Sequence, residues 1–159
     1  MAKQGDVFLL NPIHLTIAQR TEIKLLLTRD RLKEVPVDLN KARLFLIQAE
    51  EAFSELGNIQ ANKIQFDVAY NSCHSAGEAL LAAYGYRTTP GVGQHVAVGE
   101  FLSVVLAEHS AENLALRYDF LREVRNGLHY HAKPIGKAQA DHAISTAQAL
   151  LVAVRDILN

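Results

Sequence analysis

Between Asp38 and Leu56 the apolar residues Leu39, Ala42, Leu46, Ala49, Phe53 and Leu56 recur at alternating spacings of three and four. At 3.6 residues per turn such positions share one side of a helix, which starts after Asp38 as N-cap and stops at Gly57-Asn58. A longer helix is predicted from about Gln60 to Tyr84, with Gly85 as its stop. Its buried face carries Ala69, Cys73, Ala76, Leu80 and Ala83, residues small enough for a neighbouring helix to come close. Val98, Phe101, Leu102 and Val105 define a helix over about 95–107, and Ala140, Ile144, Ala147, Leu151, Val154 and Leu158 define the last one, about 137–158. Between these two lies a helix capped by Ser110 and ended by Lys133-Pro134-Ile-Gly136.

The first part of the chain is less patterned. Residues 1–14 read as loop with an extended piece around Val7 to Leu10, and Ile23, Leu26 and Leu27 support a helix from Thr16 to about Leu32. Glu34-Val35-Pro36 ends that helix, because the residue before proline is pushed out of the helical region. The segment Arg87 to Gln94 has the residues of a loop, and no stretch reads as a central strand. The expected architecture is therefore all-α, an up-and-down bundle of four to six helices. Residues 1–36 form an N-terminal extension with a short helix, and residues 37–159 form the bundle.

One helix breaks the burial rule the others keep. Leu114, Tyr118, Leu121 and Leu128 make an apolar stripe at about 100° per residue, and Arg125 projects from within it. Burying a guanidinium without partners costs several kcal/mol, roughly 3–5. The position therefore asks for a carboxylate, a carbonyl or an anionic ligand such as phosphate. Arg122, Arg125, Asn126 and His129 stand at i, i+3, i+4 and i+7 and share one face. Arginine holds a phosphate bidentately and histidine exchanges a proton near pH 7, so this face suits phosphate chemistry without a metal. A structural ion-pair face is the competing reading of the same spacing.

Sixteen basic residues against seventeen acidic ones leave a net charge of -1, so any nucleic-acid contact has to come from a local patch. Arg117, Arg122, Arg125, Lys133 and Lys137 supply one, interleaved with Asp119 and Glu123. A single cysteine excludes an intramolecular disulfide, and the longest apolar run, Ala149 to Val154, is far too short to span a bilayer. These features predict a soluble cytoplasmic protein with no membrane contact.

The run Asp67-Val-Ala-Tyr-Asn-Ser-Cys-His-Ser-Ala-Gly-Glu-Ala-Leu-Leu-Ala-Ala-Tyr-Gly-Tyr-Arg87, then Gly93-Gln-His-Val-Ala-Val-Gly-Glu100, then Leu121-Arg-Glu-Val-Arg-Asn-Gly-Leu-His-Tyr130, resembles the HEPN (higher eukaryotes and prokaryotes nucleotide-binding) family of small helical domains. The resemblance covers Leu26 to Leu158 in helix order, and its most specific part is the Arg-Asn pair with a histidine a few residues on. Active HEPN domains are metal-independent endoribonucleases, often toxins or defence enzymes, that dimerise so that two Arg/His motifs face each other. The resemblance implies catalytic roles for Arg125, Asn126 and a histidine, either His129 or His131, and RNA or phosphate contacts for Arg122, Tyr130 and Lys133. It calls for no metal and no cofactor.

The family spacing is arginine, four to six residues, then histidine. Arg125 to His131 fits with five intervening residues, whereas Arg125 to His129 has three, and Arg122 to His129 fits with six only if the asparagine is left out. Helical geometry favours His129, which shares the Arg125 face, unless Gly127 unwinds the turn and brings His131 round. The implied chemistry is attack of a ribose 2′-hydroxyl, deprotonated by histidine, with Arg125 stabilising charge on phosphorus and a 2′,3′-cyclic phosphate as product. Tyr130 stands four residues beyond the Arg-Asn pair. It keeps a second implication open, a non-catalytic RNA- or nucleotide-binding module or the partner subunit of a nucleotidyltransferase in a toxin–antitoxin pair.

Other chemical side chains read more plainly. His129 and His131 lack a third ligand at metal spacing, and Cys73 falls on a packing face as an inert thiol. His74 and Glu78 at i, i+4 read as a surface pair, Tyr84 and Tyr86 as bundle-end packing, and His95 as a capping or exposed residue.

Overall fold

The computed structural model describes residues 9–109 and 113–159. In chain order it contains α1 (Ile17–Thr28), β1 (Leu32–Glu34), α2 (Leu39–Glu55), α3 (Asn62–Tyr84), β2 (Tyr86–Thr88), α4 (Gln94–Val105), α5 (Leu114–His131) and α6 (Lys137–Leu158). The described residues thus form an all-α helical bundle with one two-stranded ribbon. None of these helices is long and apolar enough to cross a membrane.

The long helix α3 is the centre of the bundle, packed between α2 and α6 and touched by α4 and α5. Every member of its small-residue face, Ala69, Cys73, Ala76, Leu80 and Ala83, is buried. The small side chains let α2 approach so closely that the Ser72 hydroxyl donates to the Ala49 carbonyl at 2.7 Å. On another side of α3, Gly77 faces α4, and a Cβ there would stand 2.5 Å from Val98 Cγ1. Asp38 caps α2 as its sequence predicts, accepting from the Lys41 amide at 2.9 Å. Replacing that carboxylate leaves the amide to water alone, and Asp38→Ala is expected to cost about 1 kcal/mol in urea unfolding, with Asp38→Ser nearly neutral.

Three differences from the periodicity stand out. The first helix stops at Thr28, earlier than the proline would stop it, because Asp30 turns the chain with φ 56° and Leu32 enters β1. The segment after Gly85 is a strand before it is a loop, with Leu32 opposite Thr88 and Glu34 opposite Tyr86 in antiparallel register. Gly127 does not unwind α5, which runs to His131 and ends at Ala132 in the left-handed region. The Ser110 cap lies outside the described residues, as do Val7 and Phe8 of the proposed extended piece, whose other half, Leu9 and Leu10, belongs to no strand.

Ile23, Leu26 and Leu32, from the segment read as an N-terminal extension, are buried in the same cluster as Leu80, Phe101 and Leu121. The chain before α1 also satisfies carbonyls that α6 leaves unpaired at its end, with Asn11 donating to Leu158 at 2.7 Å and Ile13 to Ile157 at 2.9 Å.

Candidate functional site

The α5 stripe of Leu114, Tyr118, Leu121 and Leu128 is buried, which leaves the C-terminal half of the helix a flank turned toward the start of α4. Between them runs a groove of about 520 Å³, walled on one side by Gly91 to Val96 and on the other by Arg122, Arg125, Asn126 and Tyr130. The wall from α4 depends on Gly93, the residue before the helix, whose φ of 92° is a conformation that a side chain resists. Gln94, His95 and Val96 form the first turn of α4 beside the groove, and amide hydrogens of a first turn have no helical acceptor. The positive end of that helix dipole adds to the two guanidiniums opposite.

The two arginines differ in how they are held. Arg122 is braced by its neighbours, with Nε 2.9 Å from Asp119 Oδ1 and Nη2 3.8 Å from Glu123 Oε1, and the ion-pair reading of the face applies to it. Arg125 has no carboxylate within ion-pair range among the described residues. Its guanidinium lies 5.3 Å from the centre of the Tyr70 ring, which holds it as a cation over a π face and, among the described residues, leaves its donors without a hydrogen-bond partner.

Behind Arg125 a cluster joins three helices. The Tyr70 hydroxyl of α3 is 2.7 Å from His95 Nδ1 of α4 and 3.2 Å from the Tyr118 hydroxyl of α5. The Tyr118 hydroxyl is 3.0 Å from His74 Nδ1, and His74 Nε2 is 3.5 Å from Glu78 Oε1. The His74 and His95 rings stack at 4.2 Å. Burial, then the neighbouring His95 and Arg125, pushes His74 down to about 4. Burial, then Arg125 and Arg122, also lowers His95. Burial raises both tyrosines and Glu78, Tyr118 well above the usual range and Glu78 against the opposing pull of Lys41. At pH 7 the cluster holds two neutral imidazoles beside the Arg125 guanidinium. Tyr118 is also packed against the backbone of α4, since a Cβ at Gly99 would meet its ring at 3.3 Å.

The residues predicted from sequence therefore separate. Arg122, Arg125, Asn126 and Tyr130 come together on the groove. His129 leans away to α3, with Nε2 3.3 Å from Asp67 Oδ1, and His131 is exposed in the last turn. Lys133 borders a different recess with Phe120, Gly127, Pro134 and Ile135. Within one chain neither α5 histidine joins the groove lining. Cys73 is fully buried, with its thiol pushed up to about 12 by burial, as its packing position predicts.

Two expectations need correction. His95 is no exposed cap but a half-buried member of the cluster, because the turn at Gly93 aims its ring at Tyr70. His74 and Glu78 do pair, yet their side chains are only 22% and 19% exposed, so theirs is an internal contact rather than a surface one. Tyr70 and Tyr118 went unrecognised as polar groups because each sits on an apolar helical face. The Tyr70–His74 spacing of four was the one local hint. Set against known proteins, the chain matches no family model, no curated protein and no solved structure.

Proposed function

We propose that the groove between α4 and α5 binds an RNA phosphate and that this chain is a HEPN-like, metal-independent endoribonuclease of the toxin or defence type. The observation that carries the reading is Arg125, a cation without a carboxylate partner among the described residues, placed beside Arg122 and Asn126 on an open groove that a helix N-terminus also faces. A guanidinium so placed is matched by the paired oxygens of a phosphodiester, and it stabilises the added charge when phosphorus becomes pentacoordinate. Tyr130, 79% exposed on the rim, offers a face on which a base stacks. In this reading two copies associate with their α5 ends toward each other, the protein acts in the cytoplasm, and a toxin of this kind is held in check by an antitoxin.

Incubation with single-stranded and structured RNAs in excess EDTA tests the proposal. The wild type is expected to leave 2′,3′-cyclic phosphate ends, and Arg125→Ala to cleave about a hundredfold more slowly at unchanged helicity and oligomeric state. An all-DNA copy, lacking the 2′-hydroxyl, remains intact. Equal cleavage by Arg125→Ala would sink the assignment.

A second reading is favoured by one specific observation, that Tyr130 lines the groove while His129 and His131 do not. It makes the chain a non-catalytic RNA- or nucleotide-binding module, or the partner subunit of a nucleotidyltransferase. RNA that is retained by the wild type, lost by Arg125→Ala and never cut is its signature.

A further inference from the structure

We propose that His95 is the proton-accepting group of this groove, supplied by the same chain as Arg125 and aimed by a hydrogen-bond chain through Tyr70, Tyr118 and His74 to Glu78. The assignment rests on the ribonuclease reading and adds to it a catalytic histidine outside the Arg-Asn segment. Three features of the geometry support it.

The first is place. Among the described residues that line the groove, His95 is the only imidazole, and Arg125 and Asn126 stand on the facing wall. The second is the use of its two nitrogens. Nδ1 is engaged by the Tyr70 hydroxyl at 2.7 Å, and Nε2, on the opposite edge of the ring, is the nitrogen left for a ligand.

The third is direction along the chain of hydrogen bonds. The Glu78 carboxylate, 3.5 Å from His74 Nε2, favours the proton on that nitrogen. His74 Nδ1 then accepts from the Tyr118 hydroxyl, the Tyr118 oxygen accepts from the Tyr70 hydroxyl, and the Tyr70 oxygen accepts from His95 Nδ1–H. Each hydroxyl donates once and both imidazoles stay neutral. His95 Nε2 is then the unprotonated nitrogen of an imidazole that lines the groove, the tautomer a general base needs. Burial, then the cations of Arg125 and Arg122, disfavour resting protonation of His95, and lower its basicity in the same direction.

The step balances without a further reactant. His95 Nε2 takes the 2′-hydroxyl proton as the 2′-oxygen bonds to phosphorus, and the bond from phosphorus to the 5′-oxygen breaks. The leaving 5′-oxygen, on the opposite side of phosphorus from the imidazole, takes its proton from solvent water, and the imidazolium gives its proton back to solvent, giving a cyclic phosphate and a free 5′-hydroxyl. Arg125 touches the phosphate, whereas Tyr70, Tyr118, His74 and Glu78 are positioning residues.

The test uses the full-length chain, a short mixed-sequence RNA in EDTA, and an all-2′-deoxy copy of it as a binding probe. His95→Gln is expected to lower the cleavage rate at least about a hundredfold while binding of the deoxy copy stays within twofold. Tyr70→Phe keeps the ring under Arg125 and removes only the hydroxyl, so it serves as a second variant should His95→Gln lose its fold. It is expected to move the acid limb of the pH–rate profile with deoxy binding again within twofold. The groups facing His95 in that profile are Tyr70 and His74 on α3, with Glu78 behind, and Tyr118, Arg122 and Arg125 on α5. Cleavage that survives His95→Gln but is lost on replacing His129 and His131 overturns the assignment and leaves the ribonuclease reading standing. A wild type that cuts none of the RNAs tried overturns both.

Discussion

A Gly85→Val variant is expected to lose about 4 kcal/mol of stability, a large share of what a domain of this size has. Gly85 closes α3 with φ of 82°, a conformation that costs a β-branched residue about 1–2 kcal/mol. The space is also taken, since a Cβ there would meet the Val35 carbonyl oxygen at 2.8 Å and Val37 Cγ2 at 3.1 Å. That carbonyl belongs to backbone and cannot swing aside as a side chain would, which adds about 1–3 kcal/mol of overpacking. Moving it also strains the Val35 amide bond to the Gly85 carbonyl, 2.9 Å long, that ties the chain after β1 to the end of α3. Urea unfolding would show a lower midpoint with an unchanged slope. Gly85→Ala, with the same φ and the same contact but no branch, falls between Gly85→Val and wild type. Gly57→Ala is the control, because nothing stands within 4 Å of its Cβ. Equal loss at both positions would refute the account.

Acidification is expected to remove up to about 3 kcal/mol through His74 alone. Its imidazole is held down from 6.5 to about 4 in the folded chain, chiefly by burial, so the unfolded chain binds the proton more tightly. Above pH 6.5 both states are neutral and the stability is fully present. It falls as the pH drops from about 6.5 and levels off below about 4, where the folded state takes the proton as well. His95, lowered in the same direction, adds to the loss. Glu78 acts in the opposite sense, since its raised carboxyl favours the folded state on protonation, so it returns part of the stability in acid. For the same reason it does not remain a full counter-charge for a His74 imidazolium. Unfolding by urea at intervals from pH 7.5 to 4 measures the sum. His74→Gln keeps an acceptor for the Tyr118 hydroxyl, and its curve should be flatter than the wild type by most of the His74 share. Parallel curves for the two proteins would mean that His74 is not the titrating group.

The two effects lie on different links of the same chain of causes. Gly85 sets where α3 ends and β2 begins, and from β2 the chain runs through Gly93 into the first turn of α4. His74 reports on what that path delivers, because the ring stacked on it is His95.

The helices were legible because each records its environment locally. The 3.6-residue stripes of α2, α3, α5 and α6, the Asp38 cap and the Gly85 stop all depend on neighbours within about one turn, and they are found where the spacing puts them except at Leu39, which is exposed in the first turn of α2. Arg125 was legible for the same reason, as a cation within an apolar stripe. The ribbon of β1 and β2 was not, since three residues carry no period and their partner strand lies beyond α2 and α3.

By itself, then, the sequence determined an all-α bundle, the helix from which Arg122, Arg125 and Asn126 project, and the place of Arg125 as a cation set within an apolar stripe. Only the tertiary structure decided which histidine stands near that arginine. Tyr70, His74, His95 and Tyr118 are brought together from three helices, and a hydrogen bond between Tyr70 and Tyr118 spans 48 positions. Periodicity carries no information across such a separation. It specifies which face of each helix is buried, but which buried faces meet is settled by how the whole set of side chains fills space around α3.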